Sequence, residues 1–213
     1  MSIDPHTLAS LPDWRLLSRA LHARFATGNF AAGLEFVQAV GAAAEAVDHH
    51  PDVVLQYPFV EIRLMSHDVH EVTDRDVRLA GTISKIAADQ GVLAKPDALA
   101  LVELSLDTWN LDEIMPFWQA VVGITVDPAC DIALVDKAGL LPGMWFQTCE
   151  PHDEPPQRFH YDVWVPADQA EARIAAALAA GGSLVCDAEA PSFWVLADAQ
   201  GNKACICTHL DRD

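Results

Sequence analysis

Basic residues are what this chain lacks most. Its 213 residues carry 13 Lys+Arg against 31 Asp+Glu, a formal net charge of −18 with His neutral. A surface that acidic repels phosphate backbones and anionic lipid, so neither nucleic acid nor a membrane is an expected partner. Long apolar runs are also missing: no stretch approaches the roughly 20 residues a membrane span needs. The opening MSIDPHTLASLPDW has neither a basic region nor an apolar one of the kind that directs export, so the expected location is the cytoplasm. CxxC spacing is absent. The five cysteines, Cys130, Cys149, Cys186, Cys205 and Cys207, are read as reduced thiols. What remains is ordinary globular composition, 51% hydrophobic and 21% charged, in a length that suits one large domain or two small ones.

The charge divides unevenly. Residues 1–95 hold 8 basic and 12 acidic residues, and residues 96–213 hold 5 and 19. All five cysteines fall in the second part, and QGVLAKPD (90–97) has the breakers of a linker. Two domains are therefore expected, 1–95 and 96–213.

In the first, Trp14–Leu17 and Leu21–Ala26 read as strands. Phe30, Leu34, Val37, Val40, Ala44 and Val47 recur at helical steps from about Asn29 to Val47. Pro51 forbids continuation, which leaves His49 and His50 at the helix end. Val53–Tyr57 and Phe59–Met65 read as strands, the second with Val60, Ile62 and Leu64 on one face. Thr73 and Asp76 have capping-box spacing, with Val72 and Val77 at the staple positions of another helix. The order ββαββα predicts an α+β domain, an antiparallel sheet with helices on one face.

The second half repeats itself. A strand at Leu101–Leu106 precedes a helix capped by Asn110 and Glu113 that ends at Gly123. A strand at Phe159–Val165 precedes one capped by Asp168 and Glu171 that ends at Gly181. Aligning the two glycines pairs Glu103 with His160 and Gln147 with Cys205. Paired βαβββ modules forming a curved mixed sheet are the expectation.

Three histidines carry the chemistry of the first half. His49 and His50 follow a helix C-terminus, where the macrodipole favours imidazolium. Near neutral pH such a group gives or takes a proton. His67 is out of phase with the apolar face of its strand, and Glu45 stands four residues before His49 on the same helical face. Adjacent histidines rarely converge on one ion, so no metal is expected there. A solvated loop is the competing reading, and Asp76 is explained as a cap alone.

The string AEAVDHHPDVVLQYPFVEIRLMSHDVHEVTDRDVRLA (44–80) resembles the pterin-4a-carbinolamine dehydratase family. Glu45, His49, His50, Pro51, Tyr57, Val60, His67, Thr73 and Asp76 stand at that family's signature spacings. Val53, Pro58 and Ser66 depart from its usual residues, and Val69-His70-Glu71 replaces a glycine-bearing turn. These changes bear on the pocket wall and the substrate rather than on proton transfer. The resemblance implies cofactor-free dehydration of a 4a-hydroxytetrahydropterin to the quinonoid dihydropterin. His49 and His67 would form the acid–base pair, with His50 positioning the pterin and Glu45, Pro51, Ser66 and Asp68 contacting substrate. The second half, through VELSLDTWNLDEIMPFWQAVVG, RFHYDVWVPADQAEARIAAALAAGG and DAQGNKACIC, resembles the vicinal oxygen chelate (glyoxalase and bleomycin-resistance) superfamily. Its metal-dependent members place ligands at the positions held here by Glu103, Gln147, His160 and Cys205. A thiol in place of a carboxylate disfavours hard cations, so Cys205 is read as a buried structural residue and no metal is assigned. The alternatives are a non-catalytic pterin or small-molecule binding protein, and a metal-dependent lyase or dioxygenase in the second half. Edges of small antiparallel sheets often pair between subunits, so a homo-oligomer is allowed by the fold.

Overall fold

A computed structural model describes residues 5–99, 103–151, 160–165, 170–208 and 210–211. The chain divides into two compact units, Met1–Leu101 and Val102–Asp213.

The first unit runs α1 (Pro5–Ala9), β1 (Arg15–Leu17), β2 (Ala20–Ala26), α2 (Phe30–Ala46), β3 (Asp52–Gln56), β4 (Phe59–Leu64), α3 (Asp74–Asp89) and β5 (Leu93–Ala94). Its sheet has the order β1-β2-β4-β3, with β5 beside β2, and every pairing is antiparallel. The alternation expected of β4 is present. Val60, Ile62 and Leu64 lie opposite Phe25, Ala23 and Leu21 of β2, and all six are buried. This pleat face receives α2 and α3, and the opposite face carries the Arg24–Glu61 and Arg63–Asp52 ion pairs.

The buried stripe of α2 is only in part the one its sequence periodicity suggests: Val40 and Ala44 are buried and Val37 packs against the core. Gly33, Phe36, Val40 and Ala44 face the core, whereas Phe30, Leu34 and Val47 are exposed. A Cβ at Gly33 would stand 2.6 Å from Leu55 Cδ1, so a larger residue there requires the Leu55 side chain to shift. On the same stripe Phe36 packs on Phe25, with ring centroids 5.0 Å apart. Burial of a side chain that size stabilises by roughly 1.5–3 kcal/mol.

In the second unit β6 (Glu103–Thr108), α4 (Leu111–Val122), β7 (Thr125–Asp127), β8 (Cys130–Val135) and β9 (Gly143–Thr148) are followed by β10 (Tyr161–Trp164), α5 (Ala170–Ala179), β11 (Ser183–Cys186), β12 (Phe193–Ala197) and β13 (Lys203–Cys207). The duplication is plain in the topology: β6-β9-β8-β7 and β10-β13-β12-β11 have the same order. In each, the first and last strands are parallel and the others antiparallel. The mixed sheet expected from sequence is thus two four-stranded mixed sheets. Buried side chains lock the modules together. Trp118 Nε1 donates to Asp198 Oδ2 at 3.0 Å, Arg173 Nη1 donates to the Val121 carbonyl at 2.8 Å, and Trp118 meets Tyr161 edge-on. Asn110 stands at the N-cap of α4 without a side-chain cap bond, contrary to expectation; its own N–H is held by Thr108 Oγ1 instead. Gly123 ends α4 in the left-handed conformation, as its position predicts. Leu101, Phe159 and Asp168 lie outside the described residues.

Candidate active site

The turn after α2 decides where the two adjacent histidines point. His49 N–H donates to the Ala44 carbonyl and Asp48 N–H to that of Glu45, with Asp48 at φ 49°. These are the two bonds of a Schellman cap, with Asp48 in the left-handed position that usually falls to glycine; Asp is among the few other residues that tolerate it. The reversal carries His49 inward, 7% exposed, and leaves His50 outside.

Inside, His49 meets a residue read from sequence only as a cap. Asp76 is 0% exposed, and its Oδ1 lies 2.8 Å from His49 Nε2. Its Oδ2 accepts from the Thr73 N–H at 2.7 Å, which completes the predicted capping box, and from the buried Ser66 hydroxyl at 2.7 Å. Burial pushes the Asp76 carboxyl toward neutrality. Hydrogen bonds from Ser66, the Thr73 backbone and His49 outweigh it and hold Asp76 below the usual carboxylate range. One carboxylate therefore caps α3 and fixes one imidazole. With Nε2 committed to Asp76, the Nδ1 edge of His49 is left for other chemistry.

His49 also lines a cavity of about 270 Å³ between the C-terminal turns of α2 and the first half of α3. Ala43, Val47 and Leu79 give it an apolar wall; Arg75, Arg78 and Thr82 share one face of α3 at helical spacing. The volume falls just below the ~300–1,000 Å³ usual for small-molecule sites.

The remaining residues singled out from sequence are placed as follows. Glu45 pairs not with His49 but with His50, Oε1 to Nε2 at 3.0 Å, because the helix ends at Ala46 and the Schellman turn carries His49 away. Both partners are exposed. His67 and Asp68 sit exposed at the tip of the turn between Ser66 and Glu71, and Asp68 is paired with Arg75, whose guanidinium holds the Asp68 carboxyl below its usual range. Neither His50 nor His67 is part of the cavity lining. Pro51 stands half-buried between His50 and β3. Asp76 is the residue that sequence reasoning undervalued. Its three-residue spacing from Thr73 has a complete local explanation, and nothing local shows that the second carboxylate oxygen reaches across to α2.

In the second unit the parallel register sets Asp162 beside Cys205, and His160 shares the Asp162 face of β10. The donor atoms of His160, Asp162 and Cys205 all lie within 4.8 Å of one another, with His160 Nε2 3.3 Å from Asp162 Oδ1. Cys205 is buried, and desolvation together with the neighbouring Asp162 raises its thiol to about 11. Imidazole, carboxylate and thiol together fit a borderline or soft divalent ion such as zinc better than magnesium or calcium. Asp162 was not among the four positions expected from sequence. Gln147 is exposed on β9, and the side chain of Glu103 lies outside the described residues.

Comparison with known proteins agrees with this division. Residues 4–86 match the family "Pterin 4 alpha carbinolamine dehydratase", and residues 103–207 match a family described as "Glyoxalase-like domain". A provisionally named pterin-4-alpha-carbinolamine dehydratase of Picosynechococcus sp. is 35% identical over 79 residues, 37% of this chain and 86% of that protein. One of Chloroflexus aggregans, named in the same provisional way, is 41% identical over 80 residues, 37% of this chain and 85% of its own. Among solved structures, a transcriptional coactivator/pterin dehydratase from Brucella melitensis aligns with TM-score 0.37 at 28% identity, over 38% of this chain and 89% of that one. A glyoxalase/bleomycin resistance protein/dioxygenase family enzyme from Burkholderia phytofirmans aligns with TM-score 0.41 at 18% identity, over 52% and 98%. Through its first unit the chain belongs to the pterin-4-alpha-carbinolamine dehydratase family, while its second unit matches the family described as a glyoxalase-like domain.

Proposed function

We propose that the first domain dehydrates a 4a-hydroxytetrahydropterin to the quinonoid dihydropterin, with histidines as the acid and base. The observation that carries this reading is the buried His49–Asp76 pair beside a cavity, in a chain of the dehydratase family. Asp76, held ionised, presents its oxygen to His49 Nε2, so the opposite ring nitrogen exchanges the proton. In the reaction the 4a C–O bond breaks and the departing oxygen takes a proton from an imidazolium. A ring nitrogen of the pterin gives its proton to a neutral imidazole, and its electron pair closes the C=N bond. Water is the only group lost. His49 and His67 fill these two roles, His49 from the cavity lining and His67 from the exposed Ser66–Glu71 turn outside it. His50, kept in orientation by Glu45, positions the ring, and Asp76 acts through His49 as a positioning residue.

The test is turnover of 4a-hydroxytetrahydropterin by chelator-treated protein and by His49→Ala and His67→Ala. Loss of rate in both variants, with a native circular dichroism spectrum, is expected. Wild-type rates in His67→Ala remove that residue from the mechanism, and pterin binding without turnover in the wild type makes the domain a binding module.

A second reading concerns the other domain, where the convergence of His160, Asp162 and Cys205 favours a divalent ion. Those three residues would hold it, and it would supply Lewis-acid chemistry to a small ligand. Metal analysis of the purified protein tests this directly.

A further inference from the structure

The cavity beside His49 is chemically one-sided. Arg75 and Arg78, both solvent-exposed, lie one helical turn apart on α3 and line it together with His49 and the apolar Ala43, Val47 and Leu79. Arginines are scarce in a chain of net charge −18, and several others in this unit have their charge or donors satisfied elsewhere. Arg24 is paired with Glu61, Arg63 with Asp52, and Arg15 donates to the carbonyls of Pro12 and Trp14. Arg75 is paired with Asp68 at the surface. Arg78 makes no ion pair among the described residues. Thr82 spends its hydroxyl proton on the Arg78 carbonyl at 3.0 Å and offers the cavity no donor from that group.

A guanidinium donates through five N–H groups and accepts nothing. A neutral hydroxylated side chain needs both donors and acceptors, which a pair of guanidiniums cannot satisfy. A phosphate oxygen set only accepts, and it matches the guanidinium fork in planar, two-point fashion. We infer that this cavity selects a pterin whose side chain ends in a phosphate, with Arg78 the main specificity-determining contact and Arg75 its companion. The inference rests on the pterin reading above and narrows it to a substrate class: ring toward His49, anionic tail along the Arg75–Arg78 face of α3.

Fluorescence titration of the full-length protein with neopterin and with neopterin 3′-phosphate separates the possibilities. The expected result is a Kd at least tenfold lower for the phosphate in the wild type. Arg78→Gln should abolish most of that ratio, Arg78→Lys should keep part of it, and circular dichroism should report an unchanged fold. Equal Kd values for the two ligands in the wild type, or an unchanged ratio in Arg78→Gln, overturn the inference and leave the dehydratase reading standing. Failure of both ligands to bind overturns the two together.

Discussion

Each domain brings a histidine and an aspartate together, and the two pairs differ in almost everything else. His49 comes from the turn after α2 and Asp76 from the first turn of α3, and they meet in the interior, where the carboxylate has four hydrogen-bond donors. His160 and Asp162 are next-but-one neighbours on a single strand, with side chains 53% and 55% exposed and 3.3 Å apart. Water competes for the second pair and is excluded from the first. A buried charge is tolerated only where partners replace its hydration, so the interior pair is geometrically fixed. The surface pair contributes little by itself, and the thiol of Cys205 is a third donor within 4.8 Å of both.

Breaking the comparison at the interior pair has the largest expected effect. His49→Ala should lower dehydration of 4a-hydroxytetrahydropterin by about 10²–10⁴-fold, the usual worth of a positioned acid or base. Cys205→Ser should leave that rate unchanged, and stopped-flow absorbance reads both. Asp76→Ala should cost about 3–5 kcal/mol in urea unfolding, because Ser66, the Thr73 N–H and His49 lose a shared buried acceptor. Asp76→Asn should reduce kcat more than it changes KM, since it alters the hydrogen-bonding of His49 and not the cavity wall.

Acid sharpens the contrast. The native Asp76 carboxyl titrates below its unfolded value of about 3.9, so its contribution to stability is complete above that pH. As pH falls through the lower native value, the unfolded chain has already taken its proton and that contribution is lost. Denaturant melts from pH 7 to pH 2.5 should show this acid loss in the wild type and a weaker one in Asp76→Asn. At the His160–Asp162–Cys205 trio, Cys205→Ser should weaken zinc binding on the order of tenfold or more by competition with a chromophoric chelator. The smallest effect belongs to the exposed Glu45–His50 pair, where Glu45→Gln should shift stability by less than about 1 kcal/mol.

Much of this molecule is legible in one dimension because its signals are local. Alternation along β4, the Thr73–Asp76 box, the stop at Pro51 and the glycine-anchored duplication each depend on residues a few places apart. The errors share the opposite property. The face of α2 depended on packing such as Gly33 against Leu55, the pairing of Glu45 on the direction of a turn, and the role of Asp76 on a residue 27 positions earlier. Asp162 was passed over because only strand pairing sets it opposite Cys205.

The order of residues alone determined the strands and helices of both units and the places of His49, His50 and His67 along the chain, since periodicity, caps and breakers act within a turn or two of backbone. Tertiary packing decided which imidazole is buried, which carboxylate holds it, and which two guanidiniums share its cavity. Those outcomes rest on excluding water from particular surfaces, and only the assembled fold creates them.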